Sequence, residues 1–77
     1  MTPDIDAQAS GADGSRARSF GVRVNRRATG EMVYHEWPIT EVRARWRASS
    51  LVDPKRIVTV ETFEGFGARL IHEEVVR

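Results

Sequence analysis

His35, in the run Tyr34-His-Glu-Trp37, and His72, in Ile71-His-Glu-Glu74, are the side chains best suited to proton transfer or metal ligation near neutral pH. Each has an acidic neighbour. Adjacent residues of a strand point to opposite faces, so neither Glu36 nor Glu73 orients its own histidine. A site would need His35 and His72 brought together across a sheet, with a carboxylate to complete a zinc or iron set. No spacing in the chain matches a metal-ligand motif. There is no cysteine, which excludes disulfides, thiolate metal sites and cysteine nucleophiles together. No serine nucleophile elbow, Walker loop or dinucleotide fingerprint occurs, and Gly65-Phe-Gly67 reads as a hairpin loop. Glu61, Glu64, Glu73 and Glu74 supply carboxylates for acid–base work, yet 77 residues leave little volume for an apolar-walled cleft. The expectation is a non-enzymatic protein without cofactor, metal site or small-molecule substrate.

Arginine carries the stronger signal. Eleven of the twelve basic residues are Arg, a balance associated with GC-rich coding DNA, as in actinobacteria and their phages. A short, cysteine-free chain without catalytic motifs also fits a phage-type accessory protein. The net charge is only +1, but the charge is segregated. Residues 16–30 hold Arg16, Arg18, Arg23, Arg26 and Arg27 with no acid among them. Residues 42–56 hold Arg43, Arg45, Arg47, Lys55 and Arg56 against Asp53 alone. Acidic stretches flank these blocks.

Two functions compete for that pattern. In the first, basic and acidic surfaces meet between protein chains, in a homo-oligomer or with another protein, and Arg, Trp and Tyr are the types enriched there. In the second, Arg23, Arg26, Arg27, Arg43 and Arg47 bind nucleic-acid phosphates, with aromatic residues stacking on bases. Near-neutral net charge and the lack of a helix-turn-helix, RNP or zinc-finger signature weigh against the second. A protein-binding module is therefore the leading expectation. Arg23, Arg26, Arg27, Tyr34, Arg43, Trp46 and Arg47 are the candidate contact residues.

The elements that must position these residues follow from periodicity. Residues 1–19 read as a disordered leader, with Ile5 the one branched aliphatic in a Gly-, Ser- and Asp-rich run. Phe20, Val22 and Val24 alternate with Gly21, Arg23 and Asn25, the period of a half-buried strand. Met32 to Trp37 forms its partner across Arg27-Ala-Thr-Gly-Glu31. There Gly30 takes the left-handed conformation of a type I turn with a G1 bulge. That register sets Val24 beside Tyr34, Arg23 beside His35 and Arg27 opposite Glu31. Pro38 is expected to stop the second strand.

For residues 39–50, Thr40 as N-cap, Glu41 at the positive dipole end and the Glu41–Arg45 spacing favour helix over strand. Its buried stripe is read as Ile39, Val42 and Trp46. Arg56 to Phe63 reads as a strand, and Ala68 to Arg77 as another after a glycine hairpin. The result is a single α+β domain over residues 20–77: a β-β-α-β-β antiparallel sheet with one helix on one face. No apolar run approaches the roughly 20 residues of a membrane span, and no basic start precedes an apolar run. A cytoplasmic, membrane-independent setting is the expectation.

Overall fold

The structure is a computed structural model and describes residues 17–77. Its elements are β1 (Arg18–Arg26), β2 (Met32–Ile39), α1 (Glu41–Leu51), β3 (Arg56–Glu64) and β4 (Arg69–Val76). All neighbouring strands are antiparallel, in the order β2-β1-β3-β4. This is the expected two-layer α+β domain, with residues 41–51 helical, Thr40 their cap, Ile39 in β2 and not in the helix as expected, and the final segment a strand. The expected leader falls largely on residues 1–16, outside the described residues. Arg18 and Ser19, assigned to it from sequence, instead open β1 opposite Glu64 and Phe63.

The core is thin. Val22 and Val24 of β1 lie opposite Val60 and Val58 of β3, and all four are buried. Ala44 and Ala48 of α1 close over them. Phe20, Tyr34, Ile39, Leu51 and Val76 pack around the margin. Thr40 caps the helix as read from sequence, its hydroxyl accepting from Arg43 N at 3.2 Å.

The helix presents a different face from the one expected. Ala44, Ala48 and Leu51 recur at four- and three-residue steps and face the sheet. Trp46 lies about 200° around the axis from Ala44. It is 67% exposed, and Val42 is 80% exposed. The cause is the one-residue joint at Thr40. With Ile39 fixed in β2 on the core side and the helix starting at Glu41, the rotation of α1 is set before Trp46 is reached. Small alanines then let the helix approach the valines closely.

The first hairpin keeps two of its three expected pairs. Val24 faces Tyr34 and Arg23 faces His35. Arg27 does not face Glu31: Arg26 N donates to Glu31 O at 2.7 Å. Val33 is an extra, bulged residue between Tyr34 and Met32, which shifts the remaining register by one. Gly30 does adopt the left-handed conformation, at φ +77°. Pro38 does not end β2, which continues to Ile39. It sits in a second bulge on an edge strand, where its missing N–H removes no ladder bond.

Two stability measurements follow from this architecture. A Cβ at Gly30 would meet nothing within 4 Å, so Gly30→Val is strained by its backbone angle alone. It is expected to cost about 1–2 kcal/mol, a fall of roughly 5–15 °C in a thermal melt of a domain this small. Trp46→Ala is expected to change stability by less than about 1 kcal/mol, since only exposed contacts and a cation–π neighbour are lost. A loss of several kcal/mol would restore Trp46 to the core.

Candidate functional site

The helix covers one face of the sheet, and alternation sends the odd-numbered residues of β1 and β3 to the other. At the centre of that helix-free face lies Glu61, only 1% exposed. Its Oε2 accepts from Arg23 Nε at 2.8 Å, and its Oε1 lies 3.0 Å from His35 Nε2. Strand register places these side chains together: Arg23 faces His35 across β1–β2, and Glu61 lies one diagonal step away on β3. A buried carboxylate without partners would be strongly unfavourable, so the cation and the imidazole together make its burial tenable. Arg23 Nη1 also reaches the Met32 sulfur at 3.4 Å.

An aromatic corner adjoins this cluster. Trp37 lies over Gly21, where a Cβ would sit 3.1 Å from Trp37 Cβ and 2.8 Å from Glu36 O. The indole N–H donates to Ser19 Oγ at 3.0 Å, and its ring meets Phe63 edge-on at 5.7 Å between centroids. Trp37 is thereby fixed in place yet remains 43% exposed. Met32, Leu70 and Val75 on the same face are also 41–49% exposed, with Ile57 and Phe63 half-buried between them.

A second cluster ties the helix to edge strand β2. Tyr34 Oη donates to Glu36 Oε1 at 2.8 Å. Arg47 Nε lies 3.5 Å from the same oxygen, and Arg43 Nε 3.9 Å from Glu36 Oε2. The guanidinium of Arg47 also lies 5.8 Å from the Trp46 ring centroid. Arg45 bridges Glu41 at 3.3 Å and Glu74 at 3.1 Å. These bonds hold its guanidinium pKa above the ordinary value, with the hydrogen bond to Glu74 the largest cause.

The seven residues singled out from sequence thus occupy three places. Arg23 is on the helix-free face. Arg43, Trp46 and Arg47 are on the helix, with both arginines turned to Glu36. Arg26, Arg27 and Tyr34 border a cleft at one end of the sheet. His35 and His72 are not brought together: they lie on the two edge strands and on opposite faces. Among the described residues, no three His, Asp or Glu side chains converge as a metal set would. Sequence reasoning missed Glu61 as a centre. The available signal was a lone charge within Ile57-Val-Thr-Val-Glu-Thr-Phe63.

Among the described residues, no helix is long and apolar enough to cross a membrane. Comparison with protein-family models, curated proteins and solved structures gives no match.

Tyr34 is the chain's single tyrosine, so phenolate absorbance reports it alone. Its pKa is raised above the ordinary 10.0, first by the hydrogen bond to Glu36 and then by desolvation. The neutral phenol is the form the fold favours. Its stabilising effect is therefore present below pH 10 and lost as pH rises through the elevated folded value. A titration by ultraviolet absorbance should show a midpoint above 10 that moves back toward 10 in Glu36→Gln. Equal midpoints in the two proteins would mean that the Tyr34–Glu36 bond does not form.

Proposed function

We propose that the chain is a non-enzymatic interaction module that works by self-association, two copies packing their helix-free sheet faces together. The observation that carries this reading is the helix-free face itself. It holds Met32, Trp37, Leu70 and Val75 exposed around a charge centre already neutralised by its own partners. Exposed and half-buried apolar residues gathered on one face, here Trp37, Phe63 and Leu70 at one end and Met32, Ile57 and Val75 at the other with the Arg23–Glu61–His35 centre between them, are what a docking surface offers, and scattered single residues are not.

Charge selects a second copy as the occupant. Arg23 and Glu61 cancel each other, which leaves Glu73 as the other formal charge placed on that face by the register. A basic or acidic partner would find little to pair with. A near-neutral face finds its complement in itself under a two-fold axis. Size is adequate as well. Four strands about 4.8 Å apart and roughly 27 Å long present about 500 Å² of flat area per copy, and more as accessible surface. Two such faces approach the threshold of about 1,000 Å² that a specific interface needs. A core of four valines and two alanines gives a further reason, since burial between copies adds what so small a domain lacks.

The nucleic-acid reading has less support. Of its five arginines, Arg23 is held by Glu61, Arg43 and Arg47 by Glu36, and Arg26 by Glu31 at 3.5 Å. A polyanion would have to compete with carboxylates already in place.

Sedimentation equilibrium is the decisive measurement. The wild-type chain is expected at twice its 8.7 kDa mass. Leu70→Glu combined with Val75→Glu is expected to return it to one copy with the fold intact by circular dichroism, while Trp46→Ala remains dimeric. A wild-type protein that stays monomeric up to about 1 mM, where an association of about 4 kcal/mol is still visible, would overturn the proposal.

A further inference from the structure

The end of the molecule beyond the helix C-terminus concentrates positive charge that the rest of the fold does not neutralise. Arg26 and Arg56 are direct cross-strand partners on the helix side of β1 and β3. Like charges directly opposite each other in a sheet are unfavourable unless something anionic lies between them. Arg27 and Lys55 extend the group from the adjoining loops. Among the described residues, Arg27, Lys55 and Arg56 have no carboxylate within ion-pairing distance, and Arg26 has Glu31 alone. The Arg27 guanidinium is held in place by backbone carbonyls: Nε donates to Pro54 O at 3.1 Å and Nη2 to Arg56 O at 3.3 Å. Such bonds orient it without cancelling its charge. Asp53 lines the cleft that these cations border, and Glu31 and the negative end of α1 lie at the same end, but four cations outweigh them. Asp53 also has its Oδ1 engaged by Lys55 N at 2.8 Å.

These cations border a cleft of about 960 Å³, which corrects the expectation that so short a chain leaves little volume for an apolar-walled cleft. Its other wall is apolar, formed by Val33, Leu51 and the Tyr34 side chain. The volume lies at the upper end of the several hundred to about 1,000 Å³ typical of small-molecule sites. A bare inorganic anion would use the rim and leave the wall wet. A purely apolar ligand would bury the wall and leave the arginines unpaired. The site asks for both in one molecule. Arginine matches the geometry of a phosphate through paired N–H donors, and lysine adds a point charge.

We propose that this cleft binds a phosphate monoester carried on a flat apolar body, a ligand of mononucleotide size. The phosphate sits between Arg56 and Lys55, beside the Arg27 guanidinium, and the body lies against Leu51, Val33 and Tyr34. A nucleic-acid strand is a poorer fit, because the charge does not continue along the molecule. Arg43 and Arg47 on the helix side are turned to Glu36, and Arg23 is on the opposite face. The cleft is on the helix side of the sheet, so it is independent of the association face proposed above.

The test is an NMR titration of the full chain at low salt with four probes: adenosine monophosphate, adenosine, inorganic phosphate and a single-stranded adenine oligonucleotide. The monophosphate is expected to shift amides of residues 26–34 and 51–56 and to bind at least about tenfold more tightly than adenosine or phosphate alone, the worth of about one added charge-assisted hydrogen bond. Lys55→Gln with Arg56→Gln should weaken it by about tenfold or more. Arg69→Gln, which removes one charge at the far end of the sheet, should leave it unchanged. Arg56→Lys should retain part of the affinity, which separates loss of charge from loss of fold. Equal binding of adenosine and the monophosphate, or an equal loss in Arg69→Gln, would overturn the site. An oligonucleotide that binds far more tightly than the monophosphate would replace it with a strand-binding surface.

Discussion

An eleven-residue helix about 16 Å long can shield only one side of a four-stranded sheet, and much of the remaining structure follows from that limit. On the shielded side, Ala44 and Ala48 meet a layer of valines, and the contact excludes water with very little side-chain volume. On the other side there is no second layer. The strands there still carry Ile57, Phe63, Leu70, Val75 and Trp37, residues suited to burial. The chain manages the exposed side locally, with Trp37 held over Gly21 by Ser19 and Phe63, and with Glu61 sealed by Arg23 and His35. A fully buried carboxylate in the middle of an uncovered face is the electrostatic counterpart of that arrangement. It fixes three strands to one another where apolar packing cannot.

The local devices were legible in the sequence, because each depends on residues close together in the chain. Thr40, Glu41 and Arg45 announce a helix start through capping and an i,i+4 pair, and both contacts form. Gly30 announces a left-handed position, and its φ is +77°. The pairing of Val24 with Tyr34 followed from alternation on both strands. What alternation cannot reveal is a bulge. Val33 carries no glycine or proline to mark it, and one extra residue there displaced the expected partner of Glu31 from Arg27 to Arg26. Pro38 misled for the opposite reason. It signals a strand end only where its N–H would be needed, and an edge-strand bulge does not need it.

The rotation of the helix was harder to read. Two apolar stripes exist on α1, a large one through Val42 and Trp46 and a small one through Ala44, Ala48 and Leu51. Size favours burying the first. The short joint at Thr40 turns the second toward the sheet, and the choice rests on geometry three elements deep. The central role of Glu61 was hidden in the same way, since its partners lie 38 and 26 residues away. Candidate arginines were identifiable by type, but their neutralisation was not, because each carboxylate comes from another element.

That last point changes how the charge map is understood. Along the chain, the two basic blocks look like a polyanion footprint. In space, the acidic stretches fold back onto them: Glu36 onto Arg43 and Arg47, Glu61 onto Arg23, Glu74 onto Arg45, and Glu31 onto Arg26. Segregation in sequence is thus the means by which neighbouring elements acquire opposite charge and find their register. Against that background, the unmatched cations are the informative ones. Three of them, Arg27, Lys55 and Arg56, gather at one end, beside an apolar wall, where the fold sets Arg56 against Arg26 across two strands. A pairing that is unfavourable for stability alone is accounted for when an anion is part of the working molecule, and elsewhere among the described residues the fold supplies carboxylates for its clustered arginines.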